Sequence, residues 1–328
     1  MGTQEHPLRV LRWESLTKRA FDELPRSRCV VLATCSPLEV HGPHLPLGAD
    51  ALEGEGLAER VLRFLPERHR QRIFLKLPLV YAAADVVPQP GSLAFRPSTV
   101  ARFLEDLGGT LAAQGFRDVL ISNFHGGPRH FVAIERACQR VSKRRGIRMV
   151  SLFSLMLSRL TGGSENLEQL IGALPGVKPE DLRDDTHAGF LETSQLLALH
   201  GGWVDPIYKE LPRISFESWL GNAQGGRAGE RKGRIRGLFD LLRSFRGNLH
   251  FFLEHSYNGA PAGASAEIGE RILDLLGAKT ADATAEILDG KLSPLDCHSP
   301  LWPWRFFLLN PFMIFLVNRL LGFRTPIE

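Results

Sequence analysis

Apolar residues fall along this chain in two alternating rhythms. Val30-Val31-Leu32-Ala33-Thr34 is a short, nearly unbroken apolar run and predicts a buried strand, whereas Leu52 to Phe64 carries its apolar residues at helical spacing. Leu75 to Val80 predicts a second strand. A helix is predicted from Pro97 to about Gln114, with proline in its first turn and Gly115 just beyond its end. Asp118 to Ser122 predicts a third strand, Pro128 to Arg145 a helix stopped by Gly146, and Arg148 to Phe153 a fourth strand. Strand and helix alternate throughout. The expected fold is therefore α/β: a single domain with a mainly parallel β-sheet flanked by helices on both faces.

The flanks are less regular. Residues 1–28 are polar, with Leu11, Leu16 and Phe21 as inward contacts, and read as an N-terminal helical extension. Residues 155–183 are weakly patterned, with Gly162-Gly163-Ser164 as a loop. Gln195 to His200 looks helical, Ser265 is placed to cap a helix through Leu276, and Thr280 to begin another through Leu288. The expected division is an extension over 1–28, the main domain over 29–278, and a C-terminal helical extension over 279–328 with an apolar aromatic tail.

In open α/β sheets the chemistry lies beyond the carboxyl ends of the strands. Just past the first predicted strand stands Glu39-Val40-His41-Gly42-Pro43-His44-Leu45-Pro46-Leu47-Gly48-Ala49-Asp50, and just past the third stands Asn123-Phe124-His125-Gly126-Gly127. In an extended segment Glu39 and His41 point to the same side, and Asp50 closes the loop. Carboxylate oxygen with imidazole nitrogen suits zinc, manganese or iron. Asp50 is equally well placed as a helix N-cap. A second His/Glu cluster, Asp184-Asp185-Thr186-His187-Ala188-Gly189-Phe190-Leu191-Glu192-Thr193-Ser194, reads by itself as a helix-capping arrangement and, with the first, completes a metal hydrolase. His44 is placed either to orient a ligand, to line a pocket or to serve the structure. Ser194 and Cys35 have no triad beside them, so no covalent nucleophile is expected.

Composition adds limits. The chain has 328 residues, 44% hydrophobic and 23% charged, with a net charge of +4, so it is expected to be globular and not to bind nucleic acid. Cys29, Cys35, Cys138 and Cys297 have no paired spacing, and Met1 to Val10 has no apolar signal core; a reducing, cytoplasmic setting is expected. The Gly- and Arg-rich stretch 222–237 reads as a solvated loop. Leu301 to Phe323 is dense in Trp and Phe but interrupted by Arg305, Asn310, Pro311, Asn318 and Arg319, too often to span a membrane. It is expected to pack on the body or on another subunit, or to make weak contact with a membrane surface, so the protein is cytoplasmic or peripheral to a membrane.

Four motifs stand in order: Glu39-x-His41-Gly42-Pro43-His44 with Asp50, Pro90-Gly91-Ser92, Asn123-x-His125-Gly126-Gly127, and His187-Ala188-Gly189-x-x-Glu192-Thr193-Ser194. Together they resemble the creatininase (creatinine amidohydrolase) family over most of residues 25–275, with Tyr257 to Glu270 resembling the start of its last helix. The resemblance implies a dinuclear metal site, hydrolysis of an amide or cyclic amide C–N bond, a small-molecule amide substrate and a homo-oligomer. It implies that Glu39 and His125 bind one metal, His41 the other, and that Asp50 bridges them. The ions expected are two divalent cations of zinc type, with manganese or iron as alternatives. Members with a His-x-Glu signature use that Glu as a ligand; here the position is Gly127, and Glu192 resembles the substitute carboxylate. His187 resembles the proton-transfer histidine, so His187 and Glu192 are the candidate catalytic residues. Pro128 departs from the family's usual Asn. Two cations about 3.5–4 Å apart would activate water and polarise the carbonyl. The competing expectation is a non-catalytic or membrane-surface-associated binding protein on the same fold.

Overall fold

The computed structural model describes residues 8–161, 166–223, 247 and 250–321. Its strands are β1 (Arg9–Arg12), β2 (Cys29–Ser36), β3 (Ile73–Lys76), β4 (Val80–Tyr81), β5 (Asp118–Ser122) and β6 (Arg148–Ser151). They lie in the order β1-β3-β2-β5-β6, with β4 paired to the last residues of β2, and the described pairings are parallel. In register, Val31 faces Leu75 on one side and Val119 on the other.

All eight residues of β2 are buried, because helices cover both faces of the sheet. Alternation divides each strand between two cores. Val30, Leu32, Phe74, Leu120 and Val150 face one of them. Val31, Ala33, Leu75, Ile121 and Met149 face the other. The first core is completed by α1 (Ala49–Phe64), α4 (Leu152–Thr161) and α6 (Ala266–Leu288). The second is completed by α2 (Pro97–Ala113), and α3 (Pro128–Arg145) contributes to both. Outside the sheet, α5 (Phe190–His200) packs on α1 and α6, and α7 (Pro311–Leu321) closes the described chain.

The helix ends follow local chemistry. Pro128 takes the first position of α3, and Gly146, at φ 65°, ends it in a left-handed conformation open to glycine. The Ser265 hydroxyl accepts the Ile268 N–H and caps α6. Asp50 is not an N-cap: Gly48 holds that place, and Asp50 sits inside the first turn.

Several elements differ from expectation. Within 1–28, read as a helical extension, residues 9–12 form an edge strand, followed by a short helix at Lys18–Asp22. Leu11, Leu16 and Phe21 do pack inward, against the second core. The strand was hidden because a four-residue edge strand exposes most of its side chains and carries little alternation. The run Leu75 to Val80 is broken into β3 and β4, β6 stops at Ser151, and 152–161 is already helix. One helix spans 266–288 where two were expected. The expected loops at Gly162 to Ser164 and over most of 222–237 lie outside the described residues. Among those residues no helix is long and apolar enough to cross a membrane.

Candidate active site

The site forms beyond the carboxyl ends of the neighbouring strands β2 and β5. After β2 the chain doubles back: the Glu39 N–H donates to the Leu47 carbonyl at 2.8 Å. Gly42 lies at φ 65°, and a Cβ there would meet the His44 ring at 2.6 Å, so the turn requires glycine. The Pro90-Gly91-Ser92 motif braces this loop, the Ser92 hydroxyl accepting the Val40 N–H at 3.0 Å. After β5, the Asn123 side chain wraps the next turn. Its amide donates to the His125 carbonyl at 3.0 Å, and its oxygen accepts the His125 N–H at 3.1 Å. Both loops are therefore fixed before any ligand is considered.

Glu39, His41, Asp50 and His125 converge and are at most 5% exposed. At His125, Nε2 lies 3.0 Å from the Ala84 carbonyl and must donate to it. Nδ1 then presents a lone pair 3.0 Å from Glu39 Oε2 and 3.1 Å from Asp50 Oδ2. At His41, Nδ1 lies 3.0 Å from the Glu39 carbonyl, leaving Nε2 3.3 Å from Asp50 Oδ1 and 3.7 Å from Glu192 Oε2. Two nests of lone pairs thus share Asp50, one oxygen each. Glu39 Oε2, His41 Nε2 and Asp50 Oδ2 have no hydrogen-bond partner. Acceptors facing one another in a buried site need positive charge between them.

In the bare chain, protons supply it. Burial pulls the His41 imidazole down, but Asp50, Glu192 and Glu39 outweigh burial and push it up to about 10. His125 is likewise lowered by burial yet raised well above its usual range by Glu39 and Asp50. Burial raises Asp50, but His41 and His125 hold it well below the carboxylate range. Divalent cations fit the same nests. Ligand bonds of about 2.1 Å in tetrahedral array put donor atoms about 3.4 Å apart, and the separations here run from 3.0 to 3.7 Å. Glu39/Asp50/His125 and His41/Asp50/Glu192 are each close enough to hold one ion, as are Glu39, His41 and His187.

His187 stands beside this cluster, its ring 4.3 Å from that of His41 and its Nε2 2.9 Å from the Val40 carbonyl. Its backbone is tied to Asn258 by bonds of 3.3 and 2.7 Å. The capping role in this segment falls to Asp185, which accepts the Phe190 and Leu191 N–H groups at 2.6 and 2.9 Å and is pushed up by burial to about 7. Glu192 accepts the Ala188 N–H at 2.5 Å and also faces His41. His44 is outside the cluster: its Nε2 lies 2.8 Å from the Thr193 hydroxyl, tying the loop to α5, and burial lowers it to about 4. The Ser194 hydroxyl accepts the Ser265 N–H at 3.3 Å.

The sequence reading missed Glu53. It is fully buried with both carboxylate oxygens unpartnered, and burial first, then Glu192 and Asp50, raise it well above the usual range. The signal was available: Glu53 shares an inner helix stripe with Leu57 and Val61.

Gly127 explains the missing His-x-Glu carboxylate. A Cβ there would lie 2.4 Å from His125 Nε2 and 3.0 Å from the Ala84 carbonyl, so no side chain fits. Gly127→Ala is expected to displace the His125 ring from Ala84 and weaken metal binding about 10–100-fold, as measured by competition with a chelator. Unchanged affinity would show that the loop relaxes freely.

A parallel α/β sheet with a buried carboxylate–histidine cluster at its strand ends defines the class. The family model described as creatinine amidohydrolase matches residues 14–284, and the chain belongs to the creatininase family, a family of amidohydrolases. Its fold is similar to that of a putative creatinine amidohydrolase from Bacteroides fragilis (20% identity, 84% of this chain and 96% of that one, TM-score 0.57). It is similar also to a manganese creatininase (19%, 85% and 98%, 0.55) and to a Zn–Zn form of a mutant creatininase (18%, 84% and 97%, 0.54). Comparison with curated proteins finds no match.

Proposed function

We propose that the chain is a cytoplasmic, metal-dependent amidohydrolase with a dinuclear site. Glu39, Asp50 and His125 would hold one divalent cation, and His41, Asp50 and Glu192 the other. The observation that carries this reading is Asp50, whose two oxygens turn to two different histidines in an otherwise unpartnered buried nest. Nitrogen and oxygen donors in this number suit zinc, with manganese or iron as alternatives. Such a pair supplies hydroxide near neutral pH and polarises an amide carbonyl.

The chain's own residues do the rest. Donation from His41 Nδ1 to the Glu39 carbonyl and from His125 Nε2 to the Ala84 carbonyl fixes both rings and aims their free nitrogens inward. Glu192 brings its carboxylate from the start of α5. His187 donates Nε2–H to the Val40 carbonyl, which leaves Nδ1 to move a proton to the departing nitrogen. Phe252, edge-on to His187 at 5.5 Å, shields that ring. The substrate is a small-molecule amide: a cyclic amide, a formamide or the end of a modified peptide. The working form is a homo-oligomer.

Metal analysis followed by a panel of amides and lactams tests this. His187→Ala is expected to retain its metal and lose about 10²–10⁴ in rate. A metal-free variant would instead make His187 a ligand. A metal-loaded wild type inert on the whole panel would favour a binding protein on the same fold.

The tail motivates a second element. Trp304, Phe306 and Phe312 are 63–74% exposed, and residues 301–321 carry no acidic side chain. Weak membrane-surface contact through 301–323 follows. Phe306→Glu with Phe312→Glu is expected to lower co-sedimentation with anionic liposomes, and equal sedimentation of variant and wild type would exclude it.

A further inference from the structure

The candidate ligands open into a cavity of about 1130 Å³. That is larger than the roughly 300–1,000 Å³ of ordinary small-molecule pockets, and far more than a small polar ring needs. Beyond Glu39, Asp50, His125, His187 and Glu192 its wall turns apolar. Phe153 and Met156 of α4, Ile272 and Leu276 of α6, and Ile171 form part of it. The remaining charged lining is Arg96, Asp185 and the Asp85–Arg129 pair, which neutralise each other.

A further part of the wall comes from the C-terminal tail. Leu308, Leu309, Met313, Ile314 and Phe315 line the same space. The tail is anchored to do so. Ser299 N–H donates to the buried Glu135 at 2.9 Å, His298 stacks on Trp302 at 3.9 Å, and Leu309 is buried. The tail residues 298–315 lie beyond position 284, where the family match ends. The apolar wall is therefore shared between the body that matches the family and a tail that lies beyond that match.

We propose that the amide cleaved at this site carries an extended apolar group, a long hydrocarbon or aryl chain, which lies along the cavity between the body and the tail while the amide sits at the ligand cluster. The proposal rests on the amidohydrolase reading above. In the reaction, water oxygen bonds to the carbonyl carbon and the C–N bond breaks. The nitrogen leaves with the bonding pair and one proton, giving a carboxylic acid and an amine, one of which keeps the apolar group. Because the wall is apolar, specificity comes from burial rather than from hydrogen bonds.

The test uses the full-length, metal-loaded protein with two homologous series: N-acyl-4-nitroanilides from acetyl to decanoyl, and N-acetylalkylamines from methyl to decyl. In at least one series kcat/KM is expected to rise about three- to fourfold per added methylene until the cavity fills. In whichever series responds, Ile314→Asp is expected to lower the ratio of ten-carbon to shortest-chain cleavage at least about tenfold. Calorimetry gives a readout independent of turnover: octanamide should bind at least about a hundredfold more tightly than acetamide. Cleavage in both series without dependence on chain length, and equal binding of the two amides, would overturn the proposal and leave the hydrolase intact. Tight octanamide binding with no cleavage of any amide would keep the cavity assignment and overturn the hydrolase.

Discussion

Asp50→Asn is expected to lose at least one equivalent of metal and to lower amide hydrolysis by about a thousandfold or more. The substitution keeps the shape of the side chain and removes the charge that both nests share. Each proposed metal position would then keep only two charged or imidazole donors, Glu39 with His125 and His41 with Glu192. Stabilisation of developing charge by a bound ion is worth several kcal/mol, and each 1.36 kcal/mol is a factor of ten in rate. The fold should survive, because an asparagine amide can donate to the His41 or His125 lone pair that Asp50 now faces. Elemental analysis and steady-state kinetics decide it, with circular dichroism as the check on folding. Two full metal equivalents and wild-type turnover would remove Asp50 as the bridge.

Gly269→Ala is expected to destabilise the protein by about 3 kcal/mol and to loosen the site from a distance. Helix propensity predicts the opposite sign, since alanine is favoured over glycine by roughly 1 kcal/mol inside a helix. Packing decides the matter. A Cβ at Gly269 would lie 1.9 Å from the Ser194 carbonyl oxygen and 2.4 Å from its carbon, both backbone atoms. Helix α6 must therefore move away from α5, and overpacking of this kind costs about 1–3 kcal/mol or more. Ser194 is two residues from Glu192, so the shift also carries a proposed ligand. Urea denaturation reads the first effect and chelator competition the second. A more stable variant would show that the helix pair separates without strain.

The interior was legible in the sequence because parallel strands covered on both faces are short apolar runs; β2, β5 and the three helices α1, α2 and α3 follow from their patterns directly. The site loops were legible because their motifs combine donor atoms with the glycines that shape them, and those residues do meet. The expected break at Thr280 failed for a local reason. The hydroxyls of Thr280 and Thr284 donate to the Leu276 and Thr280 carbonyls four residues back, so they sit inside one continuous helix instead of starting a new one. Glu53 was passed over because its position on an inner stripe shows only when Leu57 and Val61 are read with it. The tail's role as a cavity wall was invisible in principle. It joins residues 307–318 to Glu39 and His125, which are distant in the chain and linked by no local pattern.

The absence of space at Gly127 bears on how the protein matures. A carboxylate beside His125 would be delivered by the same turn and would be ready as soon as the sheet formed. In the proposed site the corresponding oxygen would come from Glu192, on a helix, α5, that packs on α1 and α6. Closing so long a stretch of chain carries an entropic cost that must be met before the contact forms, so a second ion held as proposed would find its site complete only once that helix has docked, and its uptake would report the docking.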